Sequence, residues 1–355
     1  MNRLTPARYF ITLGVFAVGV VAVLLISPGI GTRSSQIGLS AAWHAFLDGD
    51  TQSDAYWIGF GLRLPRTMLA LEAGITLGLC GAVFQSLFRN PLATPYTLGI
   101  ASGGSLGALL AIKLGIDLTL FGLSGRMLCA FAGSLVVIGL IVLFTRGGRR
   151  IGTTELLLAG VTIGLFCSAM VLFITYLSDE WQTFSMVRWM MGSLVTVSVG
   201  ESLRGLPLLL PSWIVLIACG RSLNQYLLGE ELAASRGVNL ARLRWVCILF
   251  ASLSTAVVVA LCGPIGFVGL VVPQITSLCV GRDRRLLLPA SALAGGVFLA
   301  VCDWISQCGL GWAGALVGHQ LGSAILPIGV VTAIVGVPIF LVLLYRRAST
   351  WVQSE

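Results

Sequence analysis

Apolar runs of about twenty residues recur along almost the whole chain, and this recurrence limits the fold more than any other feature. The first runs from Tyr9 to Ser27; others follow at 67–87, 94–112, 123–144, 154–177, 205–221, 243–262, 266–280, 286–308 and 327–345. A helix needs roughly 20 apolar residues to cross the ~30 Å hydrocarbon core of a bilayer. Only 10% of the residues are charged, against roughly a quarter in a soluble domain. The chain therefore lacks the polar surface that water demands. Inside lipid only helices and closed barrels satisfy their backbone groups, and these runs do not alternate with the period of two that barrel strands need. The expectation is an all-α polytopic membrane protein: one transmembrane domain over 1–355 with about ten spans. The eighth span is short and contains Pro273 in GPIGFVGLVVP, the pattern of a bent or partial crossing. The first run follows Arg3 and Arg8 but is too long for a signal-peptide core and has no A-x-A site after it, so it reads as an uncleaved span.

Basic residues orient the chain. With the N-terminus in the cytoplasm, fifteen of the 22 Lys and Arg residues fall inside, among them the turns TRGGRR and GRDRR, and seven fall outside. The same arrangement puts Asp48, Asp50, Asp54, Asp117, Asp179, Glu180 and Glu201 outside. Ten spans put both termini inside; nine would break the agreement. The outer side then holds two longer segments, 28–62 and 178–204. The second, with Trp181, Phe184, Trp189 and Met190, has the residue types of an interfacial helix. The net charge of +8 is spread along the chain and follows this topology, with no patch for nucleic acid.

Several chemistries lack their residues. A phosphate-binding P-loop needs a glycine-rich turn ending in lysine; the single lysine, Lys113, lies outside with no such turn, so the chain does not hydrolyse ATP by that route. Nine cysteines scatter through apolar runs without a C-x-x-C pair, and His44 and His319 are the only histidines, so no metal-ligand spacing occurs. Gly122-Leu123-Ser124-Gly125 resembles a serine nucleophile motif, but Ser124 sits at the mouth of a span, where a helix cap explains it better. Within the spans Glu72 lies about 9 Å along its helix from Arg66, at 1.5 Å per residue, and Asp303 lies near the outer end of the ninth span. Glu72 reads as a bundle-facing carboxylate paired with a neighbouring donor; the competing reading is an ion-coupled carrier using Glu72 and Asp303. Glu155 opens the fifth span, where a carboxylate suits the helix dipole.

The distinctive stretches come in a fixed order. They are LRLPR at Leu62–Arg66, GAVFQSLFRNPLATPYTLGIASGG at Gly81–Gly104, RRIGTTELLLAGVTIG, VRWMMGSL, LGEELAASRGVNLARLR, GPIGFVGLVVPQI and LPIGVVTAIVGVPIF. Together, from about Arg63 to Arg347, they closely resemble the permease subunits of iron-siderophore, haem and vitamin B12 ABC importers, the FecCD family. The resemblance implies a type II ABC importer permease fold in the bacterial inner membrane, ten spans, both termini inside.

It also implies sites. The loop between spans six and seven, about 222–242, would couple to a separate ATPase through Gly229, Glu230, Glu231, Ala234, Arg236 and Gly237. The residues suit a short helix: acidic at its start, stopped by Gly237 in a left-handed conformation, with Asn239 capping the next helix. A merely solvated loop held inside by its arginines is the other reading. Arg63 and Arg66 would dock a binding protein, or else snorkel to fix the depth of the span. Asn90, Leu92, Thr153 and Thr154 would form the cytoplasmic gate, with helix capping as the alternative for Asn90 and Thr153. Two residues depart from the family pattern: Gln307, where the vitamin B12 member has a further docking arginine, and Gln274, where histidine is frequent. The implied partners are a second permease subunit, identical or paralogous, two ATPases that carry ATP and Mg2+, and a binding protein. The chain itself would bind no cofactor. Ferric siderophore is the leading cargo, with haem or vitamin B12 next.

Overall fold

The computed structural model describes residues 5–31, 38–120, 122–145, 153–195, 198–317 and 324–352. Helix α1 (Pro6–Ile26) starts where the Thr5 hydroxyl accepts the Arg8 N–H and Pro6 takes the first helical position. A 3₁₀ turn at Ser27–Gly29 follows, then α2 (Leu39–Leu47), α3 (Asp54–Tyr56) and a π-helical stretch at Trp57–Arg63. That stretch runs straight into α4 (Leu64–Leu87), which is followed by a 3₁₀ turn at Pro95–Leu98 and α5 (Ile100–Leu114). A two-residue hairpin, β1 (Thr119–Leu120) with β2 (Leu123–Ser124), pairs Thr119 with Ser124 and leads into α6 (Gly125–Thr145). Next come α7 (Thr153–Tyr176), α8 (Glu180–Met190), α9 (Val199–Ser202), α10 (Leu206–Ala218), α11 (Gly220–Leu228) and α12 (Glu230–Ser235). The chain closes with α13 (Leu240–Cys262), α14 (Val268–Val280), α15 (Arg284–Val317) and α16 (Ile328–Val352).

Each apolar run found in the sequence coincides with a helix. Among the described residues seven helices are long and apolar enough to cross a membrane, or eight if α10 and α11, bent by 41° at Cys219, form one crossing. The other two, α5 and α14, have 15 and 13 residues, about 23 and 20 Å of helix. The short α14 begins after Phe267, at φ 67°, and contains Pro273. It is thus the partial span the sequence suggests. The ninth run differs from its expected end: α15 has 34 residues and continues to Val317, through a stretch expected as outer loop. Trp312, Ala313, Ala315 and Leu316 tolerate helix well, and each interrupting glycine costs only about 1 kcal/mol against alanine.

Helix α4 is the hub. Twenty of its 24 residues are buried, and it packs on α15, α14, α13 and α10. Glycine allows the close approach: a Cβ on Gly81 would overlap the carbonyl of Gly269 on α14, and one on Gly74 would lie 2.8 Å from the Gly296 Cα on α15. Backbones this near gain dispersion contact that lipid cannot offer selectively. The helices α1, α7 and α16 are by contrast mostly exposed, with Phe10, Leu165, Phe166, Leu172 and Ile334 bare. Bare apolar side chains on long helices match acyl chains, which completes the case for a bilayer.

The two outer segments are structured. In the first, Phe46, Tyr56 and Phe60 stack, with Phe46 and Phe60 ring centres 4.7 Å apart, Trp43 meets Phe46 and Phe60 edge-on, and Trp43 Nε1 donates to Leu25 O at 3.0 Å. In the second, Asp179 caps α8 by accepting the Gln182 N–H. Trp181 and Phe184 are exposed, as an interfacial helix requires, but Trp189 and Met190 turn inward against Leu109, Val171 and Met186. The only lysine, Lys113, ends α5 and donates to Leu177 O at 2.5 Å and to Gln182 Oε1 at 3.3 Å, tying α5 to the turn between α7 and α8.

Candidate functional site

The segment between α10 and α13 is a helical elbow. Helix α11 buries Leu223 and Tyr226. Gly229, at φ 136°, ψ 145°, swings the chain outward into α12. Glu230 and Glu231 occupy the first turn of α12, where carboxylates meet the positive end of the helix dipole. The helix stops in a Schellman motif: Gly237 lies at φ 81°, its N–H bonds Ala234 O at 2.9 Å, and the Val238 N–H reaches Ala233 O at 3.0 Å. Asn239 Oδ1 then accepts the Arg242 N–H at 2.9 Å and starts α13. Four residues thus separate the end of α12 at Ser235 from the start of α13 at Leu240.

Side chains fasten the base of this elbow. Arg244 on α13 pairs with Glu230 at 2.5 Å. The Tyr226 hydroxyl donates to the same Glu230 oxygen at 3.4 Å. Arg89, just beyond α4, donates to Tyr226 O at 2.6 Å and lies 4.6 Å from the centre of its ring, while Arg244 lies 5.7 Å from that centre. The tip is open: Leu228, Glu231, Leu232, Ala234 and Arg236 are exposed. This gives a rigid knob with two bare leucines flanked by charge, continuous with a spanning helix.

A second fastening joins α11 to the start of α15, and sequence reading missed it. Asn224 Nδ2 donates to Asp283 Oδ1 at 2.7 Å, and Asn224 Oδ1 accepts the Arg284 N–H at 2.9 Å. Arg285 pairs with the other Asp283 oxygen at 2.7 Å. The Arg285 hydrogen bond, with help from Asn224, holds the Asp283 carboxyl down at about 2. The available signal was the lone acid inside the basic turn GRDRR.

At the opposite end Arg63 is only 4% exposed, and its Nη1 donates to Pro28 O at 2.8 Å. Arg66 grips Asp303 through Nη2 at 2.7 Å and Nε at 2.8 Å, and Gln307 donates to the second Asp303 oxygen at 2.7 Å. The two arginines expected at a docking face are therefore committed to α15 and to the turn after α1. Asp303 is 1% exposed, and its charge is matched by this clamp.

For the expected gate, Asn90 Oδ1 accepts the Leu92 N–H at 2.9 Å, a local turn just after Arg89 at φ 50°. Leu92 is exposed. Thr153 and Thr154 open α7, and their side chains lie outside the described residues. Gln274 donates to Gln85 Oε1, which bridges α14 to α4. Glu72 departs from expectation. It is 5% exposed, and among the described residues neither carboxylate oxygen has a hydrogen-bond partner. The polar group one turn away, Thr76, instead donates to the Glu72 backbone carbonyl at 2.7 Å and accepts from Trp213 Nε1 at 3.1 Å. Ser124 Oγ accepts the Met127 N–H at 3.5 Å at the start of α6, as a cap does; His319 lies outside the described residues.

The bundle, with its two short interior helices and its exposed elbow ahead of α13, is that of a type II ABC importer permease. The profile of the FecCD transport family matches residues 19–346, and the chain belongs to that family. It is 38% identical over 293 residues to the vitamin B12 import system permease protein BtuC of Salmonella typhi, covering 81% of this chain and 83% of that one. It is 34% identical over 353 residues to the uncharacterized ABC transporter permease protein YvrB of Bacillus subtilis, covering 97% and 96%. A solved structure assigned as a metal-chelate type ABC transporter, in an inward-facing conformation, superposes with a TM-score of 0.78 at 30% identity over 95% of this chain and 99% of that one. The protein is an ABC importer permease, multi-pass in the cell inner membrane.

Proposed function

We propose that this chain carries a metal chelate inward between itself and a second permease subunit, with both chain ends and α12 in the cytoplasm. A separate pair of ATPase subunits, holding ATP and Mg2+, grips α12; a soluble binding protein delivers cargo at the α4–α15 end. The observation that carries this reading is the elbow. Its tip offers Leu228 and Leu232 for burial beside Glu231 and Arg236, while its base is tied to α13 by Glu230–Arg244. A partner that moves the tip therefore moves a spanning helix. ATP supplies the work by favouring one state of the assembly over the other. The chain needs no cofactor of its own for this.

For cargo, the BtuC relative favours a corrinoid. A ferric siderophore is the second reading, favoured by Gln307. That side chain is spent on Asp303 at the position where the vitamin B12 member has a further docking arginine, so the delivering protein differs at this contact. Vesicles containing this permease with its ATPase and binding protein test both levels. The expected result is ATP-dependent uptake of cobalamin that Arg236→Glu lowers at least tenfold. Uptake of ferric siderophore alone selects the second cargo. Uptake that persists with an inactive ATPase overturns the importer reading.

A further inference from the structure

A cavity of about 300 Å³ opens at the same end of the bundle as α12, between the inner ends of α4, α14 and α15 and the end of α11. Its polar lining is Gln85, Arg89, Gln274, Ser277, Arg282 and Arg284. Three arginines thus line one space, and among the described lining residues there is no carboxylate. Like charges gathered in this way repel each other, and the repulsion is worse where water is partly excluded.

The obvious internal counterion is turned away. Asp283 lies between Arg282 and Arg284 in sequence, yet its oxygens are taken by Arg285 and Asn224. Arg284 Nε is buried and has no hydrogen-bond partner among the described residues. A buried donor without an acceptor carries its full desolvation cost, and charged donors carry the most. Arg89 has some relief through Tyr226; Arg282 is exposed. The arrangement is a cluster of positive charge in which one buried donor, Arg284 Nε, lacks an acceptor among the described residues.

We propose that this cavity binds a phosphate group. Phosphate presents several oxygens to planar guanidinium forks and can take two arginines at once. Gln274, whose amide nitrogen is spent on Gln85, and Ser277 supply a polar wall for a headgroup. Basic pockets between spanning helices on the cytoplasmic side are suited to anionic lipid headgroups, and a free phosphate compound reaches the same depth from solution. The site stands on its lining residues and does not depend on the cargo or on the ATPase.

The test uses the full chain purified in a neutral detergent. Its thermal midpoint is followed with short-chain phosphatidylglycerol, with short-chain phosphatidylcholine, and with inorganic phosphate against chloride at matched ionic strength. The wild type is expected to be stabilised by phosphatidylglycerol and not by phosphatidylcholine. A matching response to inorganic phosphate assigns the site to free phosphate compounds as well; its absence assigns it to lipid. Arg282→Gln, at an exposed side chain that folding tolerates, is expected to raise the concentration for half response about tenfold. Arg282→Gln with Arg284→Gln is expected to abolish the response. A wild type that responds to neither phosphate source, or an Arg282→Gln chain that responds as the wild type does, overturns the proposal.

Discussion

The two ends of the bundle use charge in opposite ways. At the end that carries Arg63 and Arg66, the charged groups that join α4 to α15 are sunk and matched. Arg63 is 4% exposed, and Asp303, at 1%, is held by Arg66 and Gln307. At the end that carries α12, charge is spread over an open knob, with only the base of the knob pinned. The first arrangement fixes how α4 sits on α15 and contributes mainly to stability. The second leaves a surface uncommitted and contributes mainly to contact with something else. A charge that a fold already uses twice is a poor choice for recognising a partner unless the partner breaks the fold's own pair.

The contrast can be broken most sharply at Asp303. Asp303→Ala leaves the Arg66 guanidinium, 14% exposed, without its counterion. Breaking a buried pair in this way costs about 3–5 kcal/mol, and the loss is expected in the thermal or denaturant unfolding of the chain in detergent. An effect below that of a surface pair would place this end on the same footing as the other. The Asp283 staple gives the next effect, through pH. Its folded value of about 2 lies below the ordinary 3.8, so its contribution is complete above pH 3.8 and disappears as pH falls through about 2. Asp283→Asn should lose stability at neutral pH and show a flatter acid limb; an unchanged limb would remove the staple from the account. Gly237→Ala, at φ 81°, is expected to cost about 1 kcal/mol and to loosen α12, seen as faster amide exchange at Ala234 and Val238. Arg236→Glu is expected to change stability by less than about 0.5 kcal/mol, as exposed substitutions do. It should nonetheless lower coupled ATP hydrolysis strongly, a split between stability and activity that no substitution in the Arg66 clamp should reproduce.

Much of this was legible in the chain itself. The apolar runs are long, and the bilayer leaves them one secondary structure, so the helices that cover those runs were expected near their places. The elbow was legible too, because its signals are local: acidic residues at the start of α12, Gly237 at its stop, Asn239 at the next start. What escaped was non-local. Arg66 and Asp303 stand 237 residues apart, and nothing near either announces the other. Glu72 was expected to find a donor, and none among the described residues bonds it, because a mid-helix carboxylate says nothing about which neighbour it meets. The end of α15 was misjudged since glycine-rich sequence reads as loop until packing holds it helical. The arginine-lined cavity was hidden for a related reason: its walls come from four elements, and the basic turn GRDRR had already been explained by topology.

The lysine content of the chain has a practical reach. A single lysine, Lys113, serves a chain of 355 residues, and it sits half-buried at the end of α5, with its ammonium lent to the turn before α8. Apart from the α-amine, amine-directed reagents have one address on this molecule. A fluorophore or cross-linker attached there reports on the α5–α8 junction from an otherwise unaltered chain, and lysine-specific proteases have one bond to cut.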